Sequence, residues 1–485
     1  MAKVIIVGAG FGGMAAAVAL RDHDVTLLEA APELGGTWFH NTYPGAACDV
    51  PSHLYSFSFA QRKDWARLCS PQEEILDYMR GVARDQGIAE RVVCNARVTA
   101  CAYDEARHVW TVTCEDGSKR EADAVVIATG QLHQPAYPRL AGREAFAGHQ
   151  FHSAEWDHGY DLTGKSVAVV GTGASAVQFV PEIAPQVGRL HVFQRSGNWF
   201  LPRRNRPYPA WYRWLVRTIP GLQAFRRRFI FNYGESLTAM IRHPRTLGLI
   251  GCARSAALMR WQLRDPEVRR KAWPDYTFGC KRVLFSSHWL PMLQRPNVEL
   301  ITEAVTGLTA DGVTTEDGMH RTVDCIIWAT GFRTNDFMLP MEVRGVGGVT
   351  LADYWGGAPR AHLGITVPGF PSLFLMYGPN TNTSGGSIIA YEEAQAAYVR
   401  QAIELGVVEV LPEVAEASDR ETQARFARTA WTQCDSWYRK DHDGRIVANW
   451  PGYMREYLKR TAILDPSEYR VVKTDNARAV APGHD

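Results

Sequence analysis

The chain has 485 residues, enough for about two to four domains of ordinary size. A hydrophobic fraction of 46%, a charged fraction of 21% and a net charge of +2 are typical of a globular protein and give no global indication of nucleic-acid binding. The nine cysteines include no C-x-x-C pair, so the sequence favours reduced thiols in a cytoplasmic protein over a disulfide framework or a zinc site. No signal peptide is expected before the first strand, and no apolar run reaches the ~20 residues of a membrane-spanning helix.

The first predicted element is a buried strand, KVIIVG, which leads into a glycine-rich loop and a helix. Gly8, Gly10 and Gly13 have the spacing G-x-G-x-x-G, in which the first glycine makes the turn and the second lets the backbone approach a diphosphate. A second strand ends at Glu29, where a carboxylate suits a ribose 2′-hydroxyl and repels a 2′-phosphate. An accidental glycine loop is the alternative, but strand, loop, helix, strand and acid together predict a dinucleotide-binding fold.

A second glycine pair, Gly35 and Gly36, opens the loop GGTWFHNTYPGAACD. A pair so soon after Glu29 fits FAD-binding folds, in which this part of the chain lines the flavin side of the cofactor. The alternative is a turn-rich loop that packs Trp38 for structural reasons. The loop therefore favours FAD as the ligand of the first fold.

The chain then returns to the first fold through a helix and several strands. Residues 70–91 predict an amphipathic helix with Ser70 as its N-cap and Pro71 in its first turn. Alternating segments predict an antiparallel β-meander at 92–102, 108–115 and 119–127. The turn Ala128-Thr129-Gly130 closes the first nucleotide fold, so Thr129 is expected at the cofactor.

A second glycine-rich fingerprint follows a connector at residues 130–157. The strand SVAVVG ends in the pattern G-x-G-x-x-A, formed by Gly171, Gly173 and Ala176, and Ser175 within this loop is a further candidate for cofactor contact. Its partner strand, RLHVFQRS, ends in Arg195 and Ser196 rather than in an acid, and an arginine at this place accepts a 2′-phosphate. A solvated strand end is the alternative, and the fingerprint favours NADPH in the second fold.

Between Arg195 and Arg282 the composition becomes strongly basic, with nineteen Lys and Arg against four acids. The segment also contains five Trp, and runs such as PAWYRWLVRTI predict a helical insertion. A solvated basic face is the simplest explanation. The alternatives are attraction of an anionic cofactor and weak peripheral contact with anionic lipid through residues 200–275.

The connector contains Phe146, Gly148, His152 and Trp156-Asp157 with the spacing F-x-G-x-x-x-H-x-x-x-W-D. This pattern resembles the signature of the type I Baeyer–Villiger monooxygenases, within the flavin-containing monooxygenase superfamily. The resemblance implies that Phe146, Gly148, His152 and Trp156 act as a hinge, since the stretch joins the two nucleotide folds. Without the family, His152 is simply a hydrogen-bonded structural residue in a loop.

The second glycine loop is similar to another motif of that family, G-G-x-W-x-x-N-x-Y-P-G-x-x-x-D. The resemblance implies that Trp38 lies along the cofactor and that Asp49 sits beside a catalytic arginine. The segment FGCKRVLFSSHWLP resembles the family segment that carries a Lys-Arg pair. By that match Lys281 holds the NADPH 2′-phosphate and Arg282 is the active-site arginine.

Near the C-terminus the strand in GFPSLFLMYGPN runs into a loop, and a helix is predicted to begin near Ser387. The resemblance implies that this loop, including Asn380, contacts the flavin, with the free N–H groups of the helix N-terminus pointing at it. It also implies that Trp437 lies near NADPH and substrate. The FAD domain is then discontinuous in sequence.

The predicted fold class is α/β, with two Rossmann-like dinucleotide-binding domains for FAD and NADPH and a helical insertion in the NADPH domain. The expected boundaries are 1–141 and 332–473 for the FAD domain, 142–199 and 278–331 for the NADPH domain, 200–277 for the insertion, and 474–485 for a flexible tail. Cofactor contacts are expected at Gly8, Gly10, Gly13, Glu29, Gly36, Trp38, Asp49, Thr129, Gly171, Gly173, Ser175, Arg195, Ser196, Lys281, Asn380 and Trp437.

The resemblance implies an FAD- and NADPH-dependent monooxygenase that inserts one oxygen atom of O₂ next to a ketone carbonyl, through a C4a-peroxyflavin, to give an ester or lactone. Arg282 and Asp49 are the expected catalytic residues, and the expected partners are a small hydrophobic ketone and O₂, without nucleic acid or metal. The near alternative is an S- or N-oxygenating flavin monooxygenase. A pyridine-nucleotide disulfide reductase would need a redox cysteine pair, which Cys48 alone cannot supply, and a non-catalytic flavin- or nucleotide-binding sensor is the third alternative.

Overall fold

A computed structural model of the chain describes residues 1–203, 205–338, 340–439 and 444–473. The predicted tail at 474–485 lies outside the described residues. Helices and mainly parallel sheets build the described part, in agreement with the predicted α/β class. None of the described helices combines the length and the apolar character that crossing a membrane requires.

The described part of the chain contains these helices and strands, in chain order. The first part of the chain contains β1 (Lys3–Val7), α1 (Phe11–Ala19), β2 (Asp24–Leu28), α2 (Thr37–His40), α3 (Gln72–Asp85), β3 (Val92–Val93), β4 (Val98–Asp104), β5 (Val109–Cys114), β6 (Lys119–Ala122), β7 (Ala124–Ile127), β8 (His149–His152), β9 (Ser166–Val170), α4 (Ala174–Ile183), β10 (Arg189–Phe193) and β11 (Phe200–Leu201). The remainder contains α5 (Ala210–Thr218), α6 (Leu222–Arg242), α7 (Leu247–Gln262), α8 (Pro266–Ala272), β12 (Leu284–Phe285), α9 (Trp289–Met292), β13 (Val298–Ile301), β14 (Val305–Leu308), β15 (Gly312–Thr315), β16 (His320–Thr322), β17 (Cys325–Trp328), β18 (Glu342–Arg344), α10 (Leu351–Trp355), β19 (Leu373–Leu375), α11 (Ile388–Leu405), β20 (Val407–Val410), α12 (Pro412–Phe426), α13 (Met454–Arg460) and β21 (Tyr469–Lys473).

The first parallel sheet has the strand order β19-β7-β1-β2-β3. Val4, Ile5 and Ile6 of the central strand β1 are all buried, because both faces of the sheet are covered. α1 and α11 pack on one face, and the β4–β5 hairpin packs on the other. Since β19 and α11 come from the C-terminal part of the chain, the first fold is assembled from distant segments.

The second parallel sheet has the strand order β13-β10-β9-β17-β8. Its edge strand β8 is part of the connector, so the connector belongs structurally to the second fold. The central strands β9 and β17 are buried and rich in β-branched residues, as expected for a sheet covered on both faces. The insertion helices α5 to α8 leave this fold after β11 and return to it at β12.

Two local predictions need correction. The predicted helix at 70–91 is confined to Gln72–Asp85, and Pro71 occupies the N-cap position without a side-chain hydrogen bond. Ser70 is not the cap, because its hydroxyl instead accepts a hydrogen bond from the Ser52 hydroxyl at 2.8 Å. The antiparallel meander comprises β4, β5 and β6, whereas β3 and β7 pair into the first parallel sheet.

The expectation that all cysteines are reduced is wrong for one pair. Cys280 and Cys434 form a disulfide, with their Cα atoms 6.1 Å apart. The two residues are 154 positions apart, so no local spacing pattern could have indicated the pair. The disulfide connects the segment that carries Lys281 and Arg282 to the C-terminal segment that carries Trp437. The seven free cysteines are Cys48, Cys69, Cys94, Cys101, Cys114, Cys252 and Cys325.

Candidate active site

The two glycine fingerprints have the same local geometry. Gly8 has φ +104°, and a Cβ atom there would lie 2.6 Å from the carbonyl oxygen of Ala128. Gly171 has φ +109°, and a Cβ atom there would lie 2.3 Å from the carbonyl oxygen of Ala329. Each first glycine therefore packs directly on the Ala-Thr-Gly turn of its own sheet, and only glycine fits there.

Both fingerprint helices present uncapped N-termini. α1 follows Gly10 and α4 follows Gly173, and neither N-cap residue makes a side-chain hydrogen bond. Free N–H groups at a helix N-terminus bind anions, so both ends suit the diphosphate of a dinucleotide. Glu29 is buried at the end of β2, where its carboxylate accepts hydrogen bonds from the N–H groups of Ala9 at 2.7 Å and Ala31 at 2.9 Å. The residues present thus fit the two cofactors that the sequence predicts.

A cleft of about 2300 Å³ extends between the two folds. Most of the predicted site residues line it, namely Gly8, Gly10, Glu29, Gly36, Trp38, Asp49, Thr129, Gly171, Gly173, Ser175, Arg195, Ser196, Lys281, Arg282 and Trp437. Its size and its lining by residues of both fingerprints are what two bound dinucleotides would require.

Gly13 and Asn380 do not line the cleft. A Cβ atom at Gly13 would lie 2.0 Å from the carbonyl oxygen of Gly8, so this glycine serves close packing of helix and strand. The buried Asn380 amide donates to the carbonyl oxygens of Ile446 at 2.8 Å and Asn449 at 3.0 Å. Its side chain therefore holds the C-terminal segment in place, while the neighbouring Asn382 lines the cleft.

Cationic and hydroxyl groups converge on the second fingerprint. The ammonium group of Lys281 donates to the hydroxyl of Ser196 at 2.8 Å. Arg195, which precedes Ser196 in the chain, is exposed. Burial lowers the pKa of Lys281, and the positive charge of Arg195 lowers it further. Two cations that repel each other at a cleft wall are suited to share one dianion such as a 2′-phosphate.

Arg282 and Asp49 form an ion pair inside the cleft. The Arg282 Nη2 atom donates to Asp49 Oδ2 at 2.6 Å, and 44% of the Arg282 side chain stays accessible. Burial pushes the pKa of Asp49 upward, but the charge and hydrogen bond of Arg282, together with the charge of Arg203, hold that pKa below its ordinary value. The Asp49 charge in turn raises the pKa of Arg282, so both groups are ionised at neutral pH.

Two site residues were not predicted from the sequence. Gln178 of α4 accepts a hydrogen bond from Tyr43 at 3.1 Å and donates to the carbonyl oxygen of Ala47 at 2.9 Å. Arg203 donates to the carbonyl oxygen of Cys48 at 2.5 Å. Both residues come from the second fold or its insertion and fix the loop that carries Asp49. No local pattern marks them, because their partners are more than a hundred positions away.

The connector signature has a packing role in the structure. A Cβ atom at Gly148 would lie 2.5 Å from the ring of Phe146 and 2.7 Å from the carbonyl oxygen of Asp324. Trp156 packs edge-on against Phe151 with ring centroids 5.1 Å apart. Phe146, Gly148, His152 and Trp156 do not line the cleft.

His152 ends β8, where the connector contacts the segment that follows β17. Its ring is fully buried and contacts Tyr137 and Phe332, with centroid distances of 5.3 Å and 5.9 Å. Nδ1 accepts the N–H of Ala154 at 3.1 Å, and burial lowers the pKa of His152. The ring thus packs the connector against the segment after β17.

Comparison with known proteins agrees with this geometry. Residues 5–208 match the family model described as pyridine nucleotide-disulphide oxidoreductase. A Baeyer-Villiger monooxygenase of Streptomyces coelicolor is 39% identical, over 99% of this chain and 94% of the relative. The chain belongs to the Baeyer–Villiger monooxygenases.

Solved structures of this family have the same fold. The NADP⁺-bound cyclohexanone monooxygenase of Rhodococcus sp. Phi1 is 28% identical, with a TM-score of 0.85 over 95% of this chain and 96% of that chain. A structure titled OTEMO complex with FAD and NADP is 26% identical, with a TM-score of 0.85 over 95% and 97% of the two chains. The predicted family, fold class, enzyme class and pair of cofactors of this Baeyer–Villiger monooxygenase are thereby confirmed.

Proposed function

We propose that this chain inserts one oxygen atom of O₂ beside the carbonyl group of a small hydrophobic ketone, using FAD and NADPH, and releases an ester or lactone. The observation that carries the proposal is the accessible Arg282–Asp49 ion pair in a cleft that both fingerprint helices reach. Bound FAD, once reduced by NADPH, supplies the activation of O₂, and the protein supplies orientation and charge.

Arg282 is proposed to stabilise the negative charge that develops on the ketone oxygen when an oxygen nucleophile adds to the carbonyl carbon. A guanidinium group stays charged and has five N–H donors. Since Asp49 receives a hydrogen bond from Nη2 at 2.6 Å, the guanidinium is oriented and still has N–H groups for the substrate oxygen. A preorganised charge in a site that excludes water stabilises such an oxyanion strongly.

Asp49 is proposed to position Arg282 rather than to touch the substrate. The backbone next to Asp49 is held by the second fold and its insertion. Arg203 donates to the carbonyl oxygen of Cys48, and Gln178 donates to the carbonyl oxygen of Ala47. The loop that carries Asp49 belongs to the first fold. Relative movement of the two folds would therefore displace the carboxylate and, with it, the guanidinium.

The wall of the cleft near α6 supports an apolar substrate. Phe229, Ile230, Leu237 and Ile241 line this part, and Trp437 contributes a ring from the C-terminal segment. An apolar wall beside the Arg282 guanidinium favours a molecule with one carbonyl group and a hydrocarbon body. Recognition of a hydrophobic ketone is therefore the proposed specificity.

The test is product analysis with purified protein, FAD and NADPH. Cyclic and linear ketones are offered beside sulfides of similar size, and products are identified by mass together with O₂ and NADPH consumption. We expect the ketone products to gain one oxygen atom, with sulfoxides as minor products. Sulfoxides or N-oxides without any ester or lactone from a broad ketone panel would transfer the assignment to S- or N-oxygenation.

The disulfide does not support the disulfide-reductase alternative. Neither Cys280 nor Cys434 lines the cleft, and Cys280 is fully buried. A reductase needs an accessible redox pair next to the flavin. Arg282, in contrast, is accessible in the cleft, which favours an oxygenation that develops negative charge.

We also propose the division into domains that the sequence predicts. The sharing of the first parallel sheet by β1 and β19 supports an FAD domain made of residues 1–141 and 332–473. The sharing of the second sheet by β8, β9 and β17 supports an NADPH domain made of 142–199 and 278–331. The four helices α5 to α8 support the insertion at 200–277.

The insertion is a further candidate for weak peripheral contact with anionic lipid. Trp211, Trp214 and Phe225 are each more than 60% exposed on α5 and α6, within the basic segment. Exposed aromatic rings among arginines are typical of surfaces that bind a membrane interface. Sedimentation with anionic and with neutral vesicles tests this contact.

A double Trp211→Ser, Trp214→Ser variant should bind anionic vesicles less than the wild type does. Met319→Ser, at another exposed position outside the insertion, is the matched control. No binding to anionic vesicles, or no effect of the double substitution, would argue for a merely solvated basic face, whereas equal binding to neutral vesicles would show that the contact does not depend on anionic lipid.

A further inference from the structure

Glu392, in the second turn of α11, has a buried carboxyl group that reaches the glycine-rich first turn of α1. Its side chain is 7% exposed, and α11 packs along α1. A Cβ atom at Gly12 would lie 3.1 Å from Glu392 Oε1. The carboxyl group therefore fills the space that the missing side chain of Gly12 leaves open, beside the N-terminus that suits a diphosphate.

One oxygen of this carboxyl group has no partner in the part of the chain that the structure describes. Oε2 is buried without a hydrogen bond among the described residues, although Glu392 is among the residues that line the cleft. Buried polar atoms are almost always paired, and an unpaired one calls for an explanation. A ligand bound in the cleft is the partner that this placement offers.

The surroundings disfavour a negative charge at Glu392. α1 contributes no titratable side chain, α11 contributes the neighbouring Glu393, and the loops that face the site contribute Tyr55 and Tyr377. Burial, with a smaller effect of the Glu393 charge, raises the pKa of Glu392 to about 8. At neutral pH the group is thus a carboxylic acid with an O–H to donate.

We propose that Glu392 donates a hydrogen bond as a neutral acid to the diphosphate portion of bound FAD, so that its ionisation weakens FAD binding. This inference rests on the FAD site of the proposed function. A protonated carboxyl group is a strong donor to a phosphate oxygen, whereas a carboxylate in the same place repels it and accepts only. A binding residue that works only when neutral makes cofactor retention sensitive to pH.

The expected size of the effect follows from linkage. If FAD binds the neutral form alone, the dissociation constant rises by a factor of about eleven when the pH is one unit above the pKa of Glu392. Between about pH 6.5 and about pH 9.5 the wild type should therefore lose roughly thirtyfold in affinity. FAD affinity is lost at high pH, because the form of Glu392 that binds FAD is the protonated one.

The experiment titrates FAD into the full chain after dialysis has removed it, and follows flavin fluorescence across this pH range. Glu392→Gln keeps an N–H donor and cannot ionise, so its affinity should stay near the wild-type value at low pH and change little with pH. Glu392→Leu should bind FAD weakly at every pH. Circular dichroism and thermal unfolding of each variant show whether it is folded.

Glu393→Gln is the matched control. Glu393 accepts a hydrogen bond from the N–H of Ser58 at 2.6 Å and lies 3.8 Å from Arg227, so it points away from the α1 turn. This variant should still lose FAD affinity at high pH, with the loss beginning at a slightly lower pH because the Glu393 charge no longer adds to the effect of burial. A flat wild-type profile, or an unchanged profile in Glu392→Gln, would overturn the role of Glu392 while leaving the oxygenation proposal intact. Failure of the wild type to bind FAD at any pH would instead overturn the proposed function.

Discussion

Arg282→Ala is expected to abolish most ketone oxygenation while FAD remains bound. FAD binding should survive because the groups proposed to hold FAD, namely the Gly8 turn, the α1 N-terminus and Glu29, are separate from Arg282. The substitution removes the cation that faces the developing oxyanion and leaves Asp49 as an unpaired carboxylate. Ketone turnover and flavin content must therefore be measured on the same preparation.

The magnitude follows from charge and distance. A unit charge about 4 Å from the substrate oxygen contributes about 4 kcal/mol at an effective dielectric constant of about 20. The Asp49 carboxylate, 2.6 Å from the guanidinium, opposes part of this attraction. Removal of one preorganised donor to an oxyanion costs about 2.7–4 kcal/mol, so we expect a hundred- to thousandfold loss in kcat per bound flavin.

The assay compares ester formation with sulfoxide formation. Sulfide oxygenation should fall less, because no oxyanion develops on a sulfide. Arg282→Lys keeps the charge but loses the fork of donors, so an intermediate loss of about tenfold or more is expected. Arg228→Ala removes an exposed guanidinium from α6 and serves as the matched control, with no expected change. Unchanged ester formation per flavin in Arg282→Ala, accompanied only by a lower Tm, would refute the reasoning.

Three further predictions concern the second fold, the connector and the disulfide. Arg195→Ala should reduce the preference for NADPH over NADH in kcat/KM by about ten- to a hundredfold, through loss of a charge-assisted phosphate contact, and an unchanged ratio would contradict the phosphate role. His152→Ala should leave FAD binding intact but increase NADPH oxidation without product, because the ring joins the connector to the segment after β17; normal coupling and product yield would make the connector purely structural. Replacing Cys280 and Cys434 by Ser should lower the free energy of unfolding by about 2–5 kcal/mol, since the bond closes a long loop. Alkylation of all nine cysteines in denatured, unreduced protein would show that the disulfide does not form.

Local sequence patterns determined the parts of this protein that depend on short-range chemistry. Where the backbone must approach a phosphate, a buried strand ends in glycine and an uncapped helix follows. This requirement is visible in the two glycine patterns that begin at Gly8 and at Gly171. The charge at the end of the next strand predicts in the same way which cofactor each fold binds, through Glu29 and Arg195. The helix beginning after Ser387 was predictable from its local pattern, and α11 begins at Ile388.

The relations across the cleft were decided by the tertiary structure. The resemblance named Asp49 and Arg282, but the 2.6 Å contact between residues 233 positions apart exists only because the two folds close on each other. The pairing of Cys280 with Cys434 arises in the same way, and so does the approach of Glu392 to Gly12. Side-chain contacts of this kind depend on how sheets and helices pack over long sequence separations, and no local hydrogen-bonding or periodic pattern records them.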